Sequence, residues 1–223
     1  MSVQFYKTDC NYCALNNINT MKKITEEQIG QLAEVVNIGA GNAATAMSHM
    51  IGKGVDMTVP FIHTGAIEDI HNVLGDTNEV VVNVFFRIHG DMEGAMLLIF
   101  NKKDAVGFAN MLTKSNHKDI KDFQDEDLSA LQEVGNILLG ASVTALGKFL
   151  DMNLLHSIPD VSVDMLGASL DEILVELDTE GSLLLFEVDL TVKEAAKTGK
   201  LYFLFDPKSS KTVLEKTQEK LGA

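Results

Sequence analysis

With 223 residues, 46% apolar and 22% charged, the chain is long enough to bury a proper core and too apolar to be disordered. A formal net charge of −14 argues against nucleic acid as a main partner, because affinity for a phosphate backbone comes chiefly from Lys and Arg. No run of eighteen apolar residues occurs, so no membrane span is expected; residues 1–20 lack the basic start and apolar core of a secretory leader, which makes the cytoplasm the expected compartment.

Residues 1–23 are polar, keep no sustained period and read as a tail. Cys10 and Cys13 form a C-x-x-C without a second ligand pair, and the six histidines show no i, i+4 pair, so a zinc enzyme is not indicated. The pattern changes at Thr25. Thr25 and Gln28 make a capping box, with Glu26 and Glu27 where a helix dipole favours negative charge. A helix is predicted from about Glu26 to Ile51, with Leu32, Val36, Ala40, Ala43 and Met47 as its buried stripe. Gly30, Glu34, Asn37 and Gly41 run along a different line of the same helix. Gly39 to Ala44 also matches the G-x-G-x-x-A of dinucleotide-binding folds. That fingerprint needs a strand before it and a helix opening at it, and here the helix has already run several turns.

A strand follows from Val55 to His63, with Pro60 placing that part at an edge, an end or a bulge. Residues 65–75 suggest a short helix. Glu79 to His89 and Glu93 to Phe100 read as a hairpin turning at His89-Gly90-Asp91, and Asp104 to Leu112 as a second helix. Residues 114–124 are polar and form a junction, after which the order repeats. Asp125 is a candidate cap for a helix to about Leu150; a strand begins near Pro159 and a short segment spans Met165 to Ile173. β-rich runs follow at Leu174–Leu177, Leu183–Val192 and Lys200–Phe205, then a terminal helix from Ser209 to Leu221. The expected organisation is a tail (1–23) and two repeats (24–115 and 116–223) within one domain. The expected fold class is α+β: a duplicated, pseudo-two-fold unit with two long helices on a single sheet of roughly six strands.

Glu133 and Asn136 stand three residues apart in the second long helix, and Pro159 follows Asn136 after twenty-two intervening residues. Ninety-nine residues earlier Glu34, Asn37 and Pro60 repeat those spacings. A single Glu and Asn on a helix is usually a solvated face. Repetition at fixed spacing argues for more, since Asn has below-average helix propensity and a surface helix has no reason to prefer it twice. A carboxamide donates and accepts hydrogen bonds without charge, so it can approach a phosphoryl group and hold a water in line with phosphorus. A glutamate is suited instead to grip a lysine or arginine on the protein that carries the phosphate.

The pattern Asp/Ser-x3-Glu-x2-Asn-x22-Pro resembles the signature of the CheC/CheX/FliY phosphatases of chemotaxis. Ser129, Glu133, Asn136 and Pro159 match it completely, and residues 37–60 resemble the first helix and strand of CheC. The resemblance spans residues 24–221, and two sites in one chain resemble CheC more than the single-site CheX. It implies hydrolysis of the aspartyl phosphate on the response regulator CheY: Glu34 and Glu133 would bind the regulator's lysine, and Asn37 and Asn136 would orient the attacking water. Ser129, Pro60 and Pro159 would support the sites. The chain would bind no cofactor of its own, the magnesium ion belonging to the regulator. A second implied partner is the receptor deamidase CheD, around Val163 to Leu170, with Asp164 the first residue to test. The first site departs from the pattern: Gly30 stands where Asp or Ser is expected, and Val36, β-branched, replaces the glycine seen at Gly135, where it would crowd an approaching partner. The alternatives are a docking protein for CheY or CheD without turnover and, more distantly, a nucleotide-dependent enzyme using Gly39 and Gly41.

Overall fold

Two helices of 26 residues each dominate the chain, α1 (Glu26–Ile51) and α3 (Asp125–Leu150). The computed structural model describes residues 25–66, 70, 74, 77–176 and 182–221. The expected tail, with Cys10 and Cys13, and most of the expected helix at 65–75 therefore lie outside the described residues; the first strand, β1 (Val55–Ala66), carries on through Gly65 and Ala66. α1 opens as expected: the Gln28 amide donates to Thr25 Oγ1 at 3.2 Å while the Thr25 amide donates to Gln28 Oε1 at 2.8 Å. α3 opens one residue earlier than Asp125 would place it. Its cap is Gln124, whose amide donates to the carboxylate of Asp127 at 2.9 Å. Asp127 is buried, and it also accepts from the Thr113 hydroxyl and lies 2.9 Å from His117 Nε2. Burial would raise its pKa, but the Gln124 amide, Thr113 and His117 outweigh that and hold the carboxyl below the ordinary range. The junction between the halves is thereby tied to the first turn of α3.

The remaining elements are β1 (Val55–Ala66), β2 (Val80–Gly90), β3 (Gly94–Asn101), α2 (Lys102–Thr113), β4 (Leu154–His156), β5 (Asp160–Met165), α4 (Leu166–Glu176), β6 (Ser182–Val192), β7 (Lys197–Phe205) and α5 (Pro207–Leu221). The run Leu174–Leu177, expected as a strand, is the last turn of α4 as far as Glu176. Leu166, Leu170 and Ile173 are buried at helical spacing there, and that burial overrides the local β propensity.

The seven strands among the described residues join one antiparallel sheet in the order β1-β6-β7-β3-β2, with β4 and β5 sharing the far edge against β2. Exchange β1 with β5, β6 with β2 and β7 with β3, and the order reads back onto itself. The first strand of each half leaves its own hairpin and completes the hairpin of the other half. Successive strands are antiparallel, so the operation is a two-fold axis normal to the sheet. It runs between β3 and β7. Both edge strands are interrupted at a proline. The β1–β6 register shifts between Thr58 and Phe61, around Pro60, and Pro159 falls in the gap between β4 and β5. Proline has no N–H for a ladder, so these are the places an edge tolerates it.

The main core lies on one face, where α1, α2, α3 and α5 cover Val84, Phe86, Leu98, Phe100, Phe186 and Phe203. A smaller core lies on the other face, where α4 and Ile70 cover Val81, Leu97, Tyr202 and Leu204. Gly135 of α3 sits directly on the sheet: a Cβ there would lie 2.7 Å from Val84 Cγ1 and 3.3 Å from the Phe86 ring. Replacing it with the valine that the first half carries at Val36 is expected to overpack this contact, outweighing any gain in helix propensity. We expect Gly135→Val to destabilise the protein by about 2 kcal/mol, read as a lower urea midpoint at unchanged slope.

Candidate functional site

An uninterrupted helix from Glu26 to Ile51 carries Glu34 and Asn37, and another from Asp125 to Leu150 carries Ser129, Glu133 and Asn136. On each helix the apolar stripe faces the sheet, which turns the Glu/Asn line away from it. Glu34, Glu133 and Ser129 are exposed, and Asn37 and Asn136 are half-buried. None of these four Glu and Asn side chains makes a hydrogen bond or ion pair among the described residues. Other polar side chains on the same helices are engaged: Asn42 Nδ2 donates to the Ile38 carbonyl at 2.8 Å, and Ser142 Oγ to Leu138 at 2.9 Å. The two Glu/Asn pairs are thus available for an outside partner, on helices too firmly packed to bend toward one.

The two-fold axis makes α1 and α3 antiparallel neighbours. They cross closely where Gly39 meets Ser142 and Leu146; a Cβ on Gly39 would stand 3.4 Å from Leu146 Cγ. Asn37 and Asn136 each precede the crossing on their own helix, so they lie toward opposite ends of the pair. At 1.5 Å per residue their separation is roughly 15–20 Å. The structure therefore makes two separate faces and does not bring the two pairs into one pocket. The continuous helix through Gly39 and Gly41, with no strand leading into them, removes the dinucleotide reading: pyrophosphate needs a helix N-terminus, and here that end is at Glu26.

The two faces are not equal. Gly30, where Ser129 stands in the second half, is exposed, and a Cβ there would meet nothing within 4 Å. The expected crowding by Val36 is corrected: Val36 is 3% exposed, pointing into the core as Gly135 does, and an approaching partner cannot meet it. Pro60 sits at the β1 irregularity, in the position equivalent to Pro159. At the second face Gln132 Nε2 donates to the Pro159 carbonyl at 2.5 Å, binding the gap between β4 and β5 to α3 one residue from Glu133. Sequence reasoning passed over Gln132. The available signal was its counterpart in the first half, Ala33, which is buried: a polar residue replaces an apolar one in register.

Of the region expected to meet a second partner, Val163, Asp164 and Met165 are exposed at the end of the edge strand β5, while Leu166, Ser169 and Leu170 are buried. Among the described residues no group of three or more His, Cys, Asp or Glu side chains converges to hold a metal ion, and no helix is long and apolar enough to cross a membrane.

Comparison with known proteins adds the following. The family model described as the CheC-like family matches residues 32–63 and 126–163, the two long helices with their following strands. The CheY-P phosphatase CheC of Bacillus subtilis (strain 168) is 38% identical over 160 residues, 71% of this chain and 77% of that protein. In fold, the chain is similar to FliY of Thermotoga maritima, with a TM-score of 0.70 at 22% identity, covering 89% of this chain and 100% of that one. The FliM middle domain of H. pylori gives a TM-score of 0.60 at 10% identity, covering 86% and 99%.

Gly30 offers a direct test of how free the first face is. With open space around it in a helix interior, Gly30→Ala is expected to raise stability by about 0.5–1 kcal/mol through helix propensity alone, measured by urea unfolding.

Proposed function

The chain belongs to the CheC-like family, and on that premise we propose that it is a phosphatase for the aspartyl phosphate of a CheY-type response regulator. The observation that carries this reading is the pair of Glu/Asn faces, equivalent under the two-fold axis and without partners in the fold. A rigid, exposed helix face without a deep pocket suits a protein substrate better than a small molecule, because the helix can be laid across the partner's own active site.

In this mechanism Glu34 or Glu133 grips the lysine beside the acyl phosphate and sets the helix in register. Asn37 or Asn136 then enters the regulator's phosphorylation site and hydrogen-bonds a water in line with phosphorus. The water oxygen bonds to phosphorus as the bond to the aspartyl oxygen breaks, yielding inorganic phosphate and a free carboxylate. The amide contributes positioning at no electrostatic cost, and positioning is most of what phosphoryl transfer asks of a protein. A carboxylate at the Asn position would repel the phosphoryl oxygens. We assign the magnesium ion to the regulator: one carboxylate per face is a poor donor set for a hard cation that prefers several oxygens. Ser129, with Pro159, adds contact at the second face. Gly30 offers no side chain at the first.

The second face is therefore the stronger. Asn136→Ala is expected to remove more than half of the regulator dephosphorylation rate, Asn37→Ala a smaller share, and the double variant essentially all of it, followed as decay of radiolabelled regulator phosphate. Equal decay with the double variant and the unmodified chain would refute the mechanism and favour a docking protein without turnover.

We further propose that CheD docks on the exposed end of β5, at Val163, Asp164 and Met165. Two partly exposed apolar side chains flank a carboxylate there, Val163 at 41% and Met165 at 48%. On this assignment Asp164→Lys weakens CheD capture in a pull-down at least tenfold while dephosphorylation by the chain alone is retained; undiminished capture would rule the surface out.

A further inference from the structure

Ile158 is the most exposed large apolar residue among those described, at 86%. Single exposed apolar side chains are common and usually need no explanation. Its backbone sets this one apart. The Ser157 amide donates to the Arg87 carbonyl at 2.9 Å, the Arg87 amide donates to Ser157 Oγ at 3.0 Å, and Gln132 donates to the Pro159 carbonyl at 2.5 Å. The three residues between β4 and β5 are pinned to the sheet on one side and to α3 on the other, with the Ile158 side chain held outward between the anchors. Gln132 belongs to the same turns of α3 as Ser129, Glu133 and Asn136, so the pinned segment borders the second face. Among the described residues the first half shows no comparable pinned and exposed apolar side chain. Its counterparts are Val59, 5% exposed, and Ala33, 1% exposed.

We infer that residues 157–159 form a docking lip of the second face, with Ile158 as an apolar contact to the phosphorylated regulator and Gln132 as the residue that positions it. The inference rests on the reading of the site as a regulator phosphatase and adds what makes one of its faces selective. The occupant is a receiver domain with an apolar recess beside the lysine that Glu133 grips. Exposed Asp160 and Glu133 near the lip favour basic groups around that recess. Because the lip is held in place before binding, its contact is made with little loss of conformational freedom.

The test uses the full chain carrying Asn37→Ala, so that only the second face turns over, with dephosphorylation measured against regulator-phosphate concentration. Ile158→Ser is expected to raise the half-saturating concentration about tenfold, the loss of one buried aliphatic contact, with kcat within about twofold. Ile158→Leu is expected to restore the original value, and Gln132→Ala to raise it while leaving the Ile158 side chain in place. An unchanged half-saturating concentration in Ile158→Ser, or a fall in kcat alone, overturns the lip. So does a change in self-association on sedimentation, which would make a second copy the occupant. Activity persisting in the Asn37→Ala/Asn136→Ala chain is a different failure: it refutes the phosphatase reading of the faces, and the lip falls with it.

Discussion

The exchange of edge strands between the halves is the constraint on which the molecule depends. Among the described residues β1 finds its ladder on β6 and β5 finds its ladder on β2, so each half completes its sheet with a strand of the other. The β3–β7 pairing closes the middle of the sheet. Once the sheet is built this way, a two-fold axis passes through its centre and the two long helices are carried onto one face as antiparallel neighbours. A duplicated sequence could have made two beads on a string. Strand exchange makes it one body with two related faces.

The helices then bury large apolar surfaces against the sheet while small residues let them approach one another and the strands. Gly39 lies under Leu146, and Gly135 lies on Val84 and Phe86. A helix clamped along its length cannot rotate its polar line inward, so Glu34, Asn37, Glu133 and Asn136 stay outward and unpaired. Rigidity serves the proposed chemistry: an amide that must place a water to within a fraction of an ångström is best carried on an element held by a core. The inequality of the faces is local. It comes from Gly30 against Ser129, Ala33 against Gln132 and Val59 against Ile158, while the equivalent Val36 and Gly135 both look inward and do not contribute.

Much of the architecture was legible in advance because its signals are strong and short-ranged. The capping box at Thr25, the 3.6-residue stripe through Leu32, Val36, Ala40, Ala43 and Met47, and the Gly90 hairpin each depend on residues a few positions apart. Reading failed where a distant contact decides. Leu174 to Glu176 has β propensity, but the apolar residues before it bury as a helix against the second sheet face. Val36 is a different case: the local stripe already turns it into the core, one helical position round from outward-facing Asn37, so the two expectations for it conflicted and its burial decides for the stripe. The bond from Gln132 to the Pro159 carbonyl joins residues 27 apart in sequence, and no local pattern announces it.

The two long helices, the duplication, and the recurrence of Glu, Asn and Pro at fixed spacing can be read from residue order alone, because periodicity and repeat are properties of order along the chain. The strand exchange between the halves, the placing of the two Glu/Asn pairs toward opposite ends of a crossed helix pair, and the pinned, outward-facing Ile158 beside the second pair emerge with the folded chain. Those are set by which strand edges remain to be satisfied and which side chains the core has room to bury, and both are fixed only when the whole chain has closed.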